Sequence, residues 1–233
     1  MNEVVSKLAP FGLDEEGLVS LYPEKLLLRK EAFNALEQLR QLARLFGFDI
    51  RVESAYRSFD RQISIWNRKA KRELPLLDER GQLITRSIDD PEELVKTILI
   101  WSALPGASRH HFGTDIDIVD ASSIPEGYEV QLTPEECNGM FKPFHDWLTR
   151  EIESGNSFGF ERVFIPGRGK IQPEPWHLSY LPAARIFQKE FNLQLLKGLY
   201  SETDIACKEV LLDQLDDLAK DYVSKDQMVR DNT

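Results

Sequence analysis

Apolar residues recur every three or four positions in several parts of the chain, and this spacing predicts amphipathic helices. Gly47 follows the first such segment and predicts its end, while Ser58 is expected to cap the second. Pro91 suits the first turn of the third, and Thr133 with Glu136 forms a capping box for the fourth. The helices predicted in this way cover 23–46, 58–74, 90–103 and 134–154.

Alternating apolar and polar residues predict strands elsewhere. In segment 114–120 the alternation places Asp115 and Asp117 on one face and Ile116 and Ile118 on the other. Further strands are predicted at 48–56, 159–166 and 175–182, and the last two are joined by loop 167–174.

The chain beyond Pro182 has a helical pattern, most clearly over 185–226. Interleaved strands and helices with short late connections favour an α+β fold. We expect a small antiparallel sheet that carries the functional site and is flanked by helices. The predicted division is a main domain over 1–184 and a C-terminal helical extension over 185–233 packed on it.

Composition narrows the possible partners. The 233 residues include 29 Lys and Arg against 39 Asp and Glu, a net charge of −10, which argues against nucleic acid as a partner. No apolar run reaches 18 residues and the start does not resemble a secretory signal, so we expect no membrane segment and a cytoplasmic location. If a leader has been removed, the periplasm or cell envelope is expected instead. Cys137 and Cys207 are expected to be reduced thiols.

Three of the four histidines lie in two short polar segments that also contain acids. His110 and His111 belong to SRHHFGTDID, residues 108–117, and His177 ends EPWH, residues 174–177. A catalytic zinc takes three protein ligands of this kind and leaves a position for water. The two segments therefore predict one metal site. The fourth histidine, His145, is expected to be structural.

Spacing alone leaves two assignments open. Asp115 and Asp117 share a strand face, so either could bind the metal. His111 could replace His110 as a ligand, support the ligands from behind, or face the substrate. Glu174, three residues before His177, is placed to take a proton from metal-bound water.

Three motifs together resemble the zinc D-alanyl-D-alanine carboxypeptidases of the VanY type. They are SAYRS at 54–58, the pattern SxHxxGxxxD and the pattern ExWH, in the order expected for that family. The resemblance extends over about residues 50–182. The matching positions of the second and third motifs are Ser108, His110, Gly113, Asp117, Glu174, Trp176 and His177.

The resemblance implies a role for each of these positions. His110, Asp117 and His177 would hold zinc, and Glu174 would act as general base and then as acid. Arg57 would pair with the free C-terminal carboxylate of a peptide ending in a D-amino acid, Ser108 would hydrogen-bond near that end, and Gln62 would assist. Trp176 is expected to pack beneath the ligands.

The chain also departs from the family pattern. Ala55 replaces a glycine, Asp115 stands where alanine is usual, and His111 with Phe112 makes the loop bulkier. The substrate is therefore less well defined than the reaction. A D-Ala-D-Ala dipeptidase and an L-Ala-D-Glu endopeptidase fit the same residues. A non-catalytic zinc-bearing module, as in hedgehog domains, is disfavoured by Glu174 and Arg57, and a metal-dependent nuclease by the acidic charge.

Overall fold

A four-stranded antiparallel sheet forms the centre of the molecule in the computed structural model, which describes residues 6–167 and 170–223. The order of the strands is β3-β4-β6-β5. Because β4 and β6 are inner strands, the residues on them are held from both sides. The strands are β3 (Ile50–Ser54), β4 (Asp115–Asp120), β5 (Phe160–Glu161) and β6 (His177–Tyr180).

Helices surround this sheet, and a separate hairpin of β1 (Leu18–Leu21) and β2 (Leu26–Arg29) precedes it. The combination confirms the α+β prediction. The helices are α1 (Lys30–Leu45), α2 (Phe59–Ala70), α3 (Pro91–Leu99), α4 (Pro134–Asn138), α5 (Lys142–Glu153), α6 (Leu181–Glu190), α7 (Leu193–Glu202) and α8 (Lys208–Tyr222).

The first predicted helix begins later than its apolar spacing indicates. Leu26–Arg29 is a strand that pairs with Leu18–Leu21, and α1 starts only at Lys30. A run of leucines fits a strand as well as a helix, and the backbone partners offered by β1 decide between them. The prediction of one helix over 23–46 is therefore wrong for its first turns, whereas its end at Gly47 is confirmed.

The predicted helix over 134–154 is interrupted. The capping box of Thr133 and Glu136 is present, but α4 ends at Gly139, whose φ of −103° and ψ of −111° are not helical. Pro143 lies in the first turn of α5, where its missing N–H would break a continuous helix. The late strands are also shorter than predicted, because much of 159–166 and 175–176 is irregular.

The C-terminal helices α7 and α8 pack against α2 and α3 in one apolar cluster. Trp66 is completely buried there, and its indole donates to the carbonyl of Ala206 at 3.0 Å. The helical pattern of the tail is thus confirmed as far as Tyr222, where α8 ends, whereas 224–226 lie outside the described residues. The division at 184/185 stays a prediction.

The structure also bears on the cysteines and on membrane-spanning helices. Cys137 and Cys207 are free thiols, as predicted. Within residues 6–167 and 170–223, no helix is long and apolar enough to cross a membrane.

Candidate metal centre

Three side chains from separate elements meet at the polar face of the sheet. Asp117 lies on β4 directly opposite His177 on β6, and His110 comes from the 3-10 turn Arg109–Phe112 just before β4. Their possible ligand atoms all lie within 4.8 Å of one another, and all three residues are buried. The structure therefore brings together the three residues that the resemblance assigned to the metal.

His110 is held in one tautomer by the backbone. Its Nδ1 lies 2.8 Å from the carbonyl oxygen of Ala55, which can only accept a hydrogen bond. The proton therefore resides on Nδ1, and Nε2 faces Asp117 Oδ2 at 3.2 Å. A second hydrogen bond that orients an imidazole in this way is typical of metal-binding histidines.

His177 faces the cluster with Nδ1, whereas His110 faces it with Nε2. Nδ1 lies 3.0 Å from Asp117 Oδ1 and 3.8 Å from Glu174 Oε2, while Nε2 lies 3.0 Å from Asp115 Oδ1. The rings of His110 and His177 are nearly perpendicular, with centroids 4.9 Å apart. The two imidazoles thus converge on Asp117 from different directions.

The two aspartates of β4 have different surroundings. Asp117 contacts both imidazoles of the cluster. Asp115 forms an ion pair with Arg109 at 2.7 Å, accepts a hydrogen bond from Thr114, and contacts His177 through the ring nitrogen that does not face Asp117. Of the two assignments that spacing left open, the geometry favours Asp117 as the metal-facing acid.

His111 lies outside the cluster, although it adjoins His110 in sequence. Its Nδ1 donates to the carbonyl of Arg57 at 2.6 Å, and its Nε2 accepts from the N–H of Gly106 at 2.9 Å. Burial lowers the pKa of His111 to about 3, so the ring is neutral. Both nitrogens are engaged, and the ring connects the Arg57 turn to the loop before Ser108.

Negative charge in the cluster lies on Asp117. Burial opposes ionisation, but His110 and His177 outweigh it and hold the pKa of Asp117 far below its usual range. Burial also acts to lower the pKa of His177, yet its hydrogen bonds to Asp115 and Asp117 raise it to about 9. The pKa of His110 is lowered by burial, because only Asp117 offsets it and Arg57 adds to it. Asp117 is therefore ionised, and its charge is shared between the two imidazoles.

Glu174 lies at the edge of the cluster, in the turn before β6. Its backbone N–H donates to the carbonyl of Phe164, and its own carbonyl accepts from the N–H of His177. Burial raises the pKa of Glu174 to about 7, although His177 and other nearby cations oppose the rise. A carboxyl group with this pKa can exchange a proton near neutral pH.

Arg57 projects from the turn between β3 and α2. It donates to Gln62 Oε1 at 2.8 Å and to Ser54 Oγ at 3.1 Å, both of which are neutral. No carboxylate among the described residues lies within 4.0 Å of its guanidinium, so Arg57 is not part of an ion pair there. Gln62 also donates to the carbonyl of Ala103, so its amide is engaged at both ends and holds Arg57 in place.

A cleft of about 330 Å³ is lined by the three cluster residues together with Arg57, Ser108 and Glu174. Trp176 stacks on Trp101 in its wall, with ring centroids 6.4 Å apart and an angle of 24°. Sequence reasoning missed Trp101 and Lys69, which also line the cleft. Lys69 lies seven positions after Gln62 on α2, so helical spacing could have placed it on the same face. Burial and the nearby Arg57 lower the pKa of Lys69 to about 8.

Comparison with known proteins identifies the family of this chain. The sequence profile of VanY, described as D-alanyl-D-alanine carboxypeptidase, matches residues 25–183. The chain belongs to the VanY family. It is accordingly a peptidase of the VanY type, and the resemblance noted from the three motifs is confirmed.

Individual relatives are more distant. An uncharacterized protein of Haemophilus influenzae is 30% identical over 122 residues, which are 52% of this chain and 92% of that protein. A Bacillus subtilis protein with the provisional name carboxypeptidase YodJ is 30% identical over 172 residues, 71% of this chain. The match covers only 51% of the length of YodJ.

Two solved structures are similar to this chain. The LdcB LD-carboxypeptidase aligns with a TM-score of 0.51 at 23% identity, covering 78% of each chain. VanYB in complex with D-alanine-D-alanine aligns with a TM-score of 0.49 at 22% identity, covering 80% of this chain and 89% of VanYB. The LdcB alignment indicates that this chain and LdcB share a fold.

Proposed function

We propose that this protein is a zinc-dependent carboxypeptidase that removes a C-terminal D-alanine, or a related D-amino acid, from peptidoglycan-type peptides. One observation carries the proposal: a single cleft contains a buried His-Asp-His cluster, Glu174 beside it, and Arg57, which has no acidic partner within 4.0 Å among residues 6–167 and 170–223. Family membership supplies the reaction class.

The donor set of the cluster fits zinc. Two imidazole nitrogens and one carboxylate oxygen are ligands that zinc accepts, and three protein ligands leave a position open. His110, Asp117 and His177 would hold the ion. When bound, zinc supplies a Lewis acid and lowers the pKa of a water molecule toward 7.

Glu174 is the proposed general base. Its Oε2 lies 3.8 Å from His177 Nδ1, so the carboxylate borders the cluster without occupying the hydrogen-bonded positions around Asp117. From there Glu174 accepts a proton from the attacking water and returns it to the amine of the departing amino acid. The same carboxyl group thereby serves both halves of the reaction.

Arg57 is the proposed anchor for the free C-terminus of the peptide. Its planar guanidinium suits a carboxylate, and Gln62 and Ser54 hold it without neutralising it. Ser108, buried in the same cleft, supplies a hydroxyl near that end. A site that requires a free carboxylate discriminates against internal peptide bonds.

Release of D-alanine from matched peptides tests the proposal. The set comprises a stem pentapeptide ending in D-Ala-D-Ala, the same peptide ending in L-alanine, its C-terminal amide, and free D-Ala-D-Ala. We expect rapid cleavage of the first only, loss of activity with chelator and recovery with zinc. Preferred cleavage of the free dipeptide would indicate the dipeptidase alternative, and cleavage of the amide would indicate an endopeptidase.

The same substitution at two histidines distinguishes loss of the metal centre from general destabilisation of the fold. His110→Gln removes a proposed ligand, whereas His145→Gln changes a buried histidine on α5 outside the cluster. We expect His110→Gln to lose zinc and activity and His145→Gln to retain both. Stoichiometric zinc and normal turnover in His110→Gln would contradict the proposed metal centre.

A further inference from the structure

Asp115 is saturated with hydrogen-bond donors although it lies two positions from Asp117 on the same strand face. Its Oδ1 accepts from Arg109 Nε at 2.7 Å and from His177 Nε2 at 3.0 Å. Its Oδ2 accepts from Thr114 Oγ1 at 2.7 Å and from Ser179 Oγ at 3.2 Å. A carboxylate has about four acceptor positions, so Asp115 has none left for a metal ion.

Arg109 fixes this arrangement. The residue is 2% exposed, and its guanidinium bonds both to Asp115 and to the hydroxyl of Ser179, which in turn donates to Asp115. A buried carboxylate requires such a partner, because an unpaired charge away from water is costly. Arg109 therefore keeps Asp115 ionised and prevents a third free acid beside Asp117 and Glu174.

The contact with His177 has a directional consequence. A carboxylate that already accepts from Arg109 can only accept from His177, so the imidazole carries a proton on Nε2. Once Nδ1 gives up the proton that it shares with Asp117, its lone pair is directed toward Asp117 and Glu174. Rotation of the ring by half a turn would break the Asp115 hydrogen bond and put the Cδ2 carbon, instead of Nδ1, at the metal site.

We propose that Asp115, anchored by Arg109, is a positioning residue that sets the ring orientation of His177 and so prepares Nδ1 for zinc. This inference rests on the metal centre of the proposed function. Asp115 itself contacts neither substrate nor metal. Its role parallels that of the Ala55 carbonyl, which orients His110 from the opposite side.

Zinc affinity measured by competition with a chelator tests the proposal without reference to turnover. We expect Asp115→Ala to weaken zinc binding about 10- to 100-fold, the range found when such supporting groups are removed. Asp115→Asn retains an oxygen acceptor for His177, so its affinity should lie between those of Asp115→Ala and the wild type. Asp216→Asn, an equal loss of charge at an exposed position of α8, should leave the affinity unchanged.

Folding must be separated from positioning, since Asp115→Ala leaves a buried guanidinium unpaired. The double variant Arg109→Met with Asp115→Ala removes both charges and should recover the thermal stability of the metal-free protein while zinc binding stays weak. Wild-type affinity in this folded double variant would overturn the positioning role alone. If the wild type binds no zinc, the metal centre of the proposed function fails and this inference fails with it.

Discussion

The two faces of β4 differ sharply in chemistry although they alternate residue by residue. Ile116 and Ile118 are completely buried in an apolar cluster with α1 and α5. Asp115 and Asp117, also buried but on the other face, form hydrogen bonds and ion pairs with polar or charged groups. One strand therefore anchors the core and carries the metal centre, which explains how the site obtains a rigid support.

The comparison also separates stability from function. Burial of the isoleucines removes apolar surface from water and stabilises the fold. Burial of the aspartates is costly and is offset by Arg109, His110 and His177. We therefore expect changes on the apolar face to affect stability and changes around the polar face to affect binding and catalysis.

The largest expected effect concerns Glu174 beside the polar face. Glu174→Gln retains the shape of the side chain but removes its ability to accept a proton, so kcat should fall about 100- to 10,000-fold. Zinc content, measured by metal analysis, should remain at the wild-type level because Glu174 is not a proposed ligand. Turnover within a few-fold of wild type would refute its role as general base.

Substitutions on the apolar face of β4 should lower the stability of the fold and leave turnover unchanged. Ile118→Ala creates a cavity in the core, and we expect the free energy of unfolding to fall by about 2–5 kcal/mol. Ile118→Val should cost about 0.5–1.5 kcal/mol. Denaturant titration measures both variants, and activity per folded molecule should be unchanged. A large loss of zinc affinity in folded Ile118→Val would break the separation of the two faces.

Arg57 should affect substrate recognition. Arg57→Gln removes a charged hydrogen bond to the peptide carboxylate, worth about 1.5–3 kcal/mol, and should lower kcat/KM about 10- to 100-fold. The discrimination between a free C-terminus and its amide should shrink correspondingly. Steady-state kinetics on both peptides provide the measurement, with exposed Arg61→Gln on α2 as the control. Undiminished discrimination would exclude Arg57 as the anchor.

The smallest expected effect is a dependence of folding stability on pH, which arises from His145 on α5. Burial lowers the pKa of His145 on α5 to about 3, below the value of about 6.5 expected in the unfolded chain. The unfolded state therefore binds the proton more readily, and stability present above pH 6.5 is lost as the pH falls toward 3. Denaturant midpoints at pH 7 and pH 5 should differ less in His145→Gln than in the wild type. An equal difference would assign the dependence to other groups.

Local signals in the sequence predicted much of the fold. Caps at Ser58 and Thr133 and the glycine stop at Gly47 are confirmed because each acts through neighbouring backbone groups. The strand at 26–29 was missed because its hydrogen-bond partners come from β1, and the break at Gly139 because periodicity continues across it.

The candidate site shows a similar division. Motifs identified His110, Asp117 and His177, and the fold brings them together. The roles of Asp115 and His111 could not be predicted in the same way, because a residue of the same type lies close to each in sequence. Asp117 is equivalent to Asp115 in the strand pattern, and His110 adjoins His111. Arg109 occupies a variable position in its motif, so nothing in the sequence distinguished it.

The sequence by itself determined the residue types of the site, the alternation that puts two acids on one face of β4, and the family. Tertiary structure alone decided which acid faces the imidazoles and which supports one of them from behind. The physical reason is that these roles depend on hydrogen-bond partners brought from distant segments: Arg109 and Ser179 for Asp115, the Ala55 carbonyl for His110, and Gly106 with Arg57 for His111.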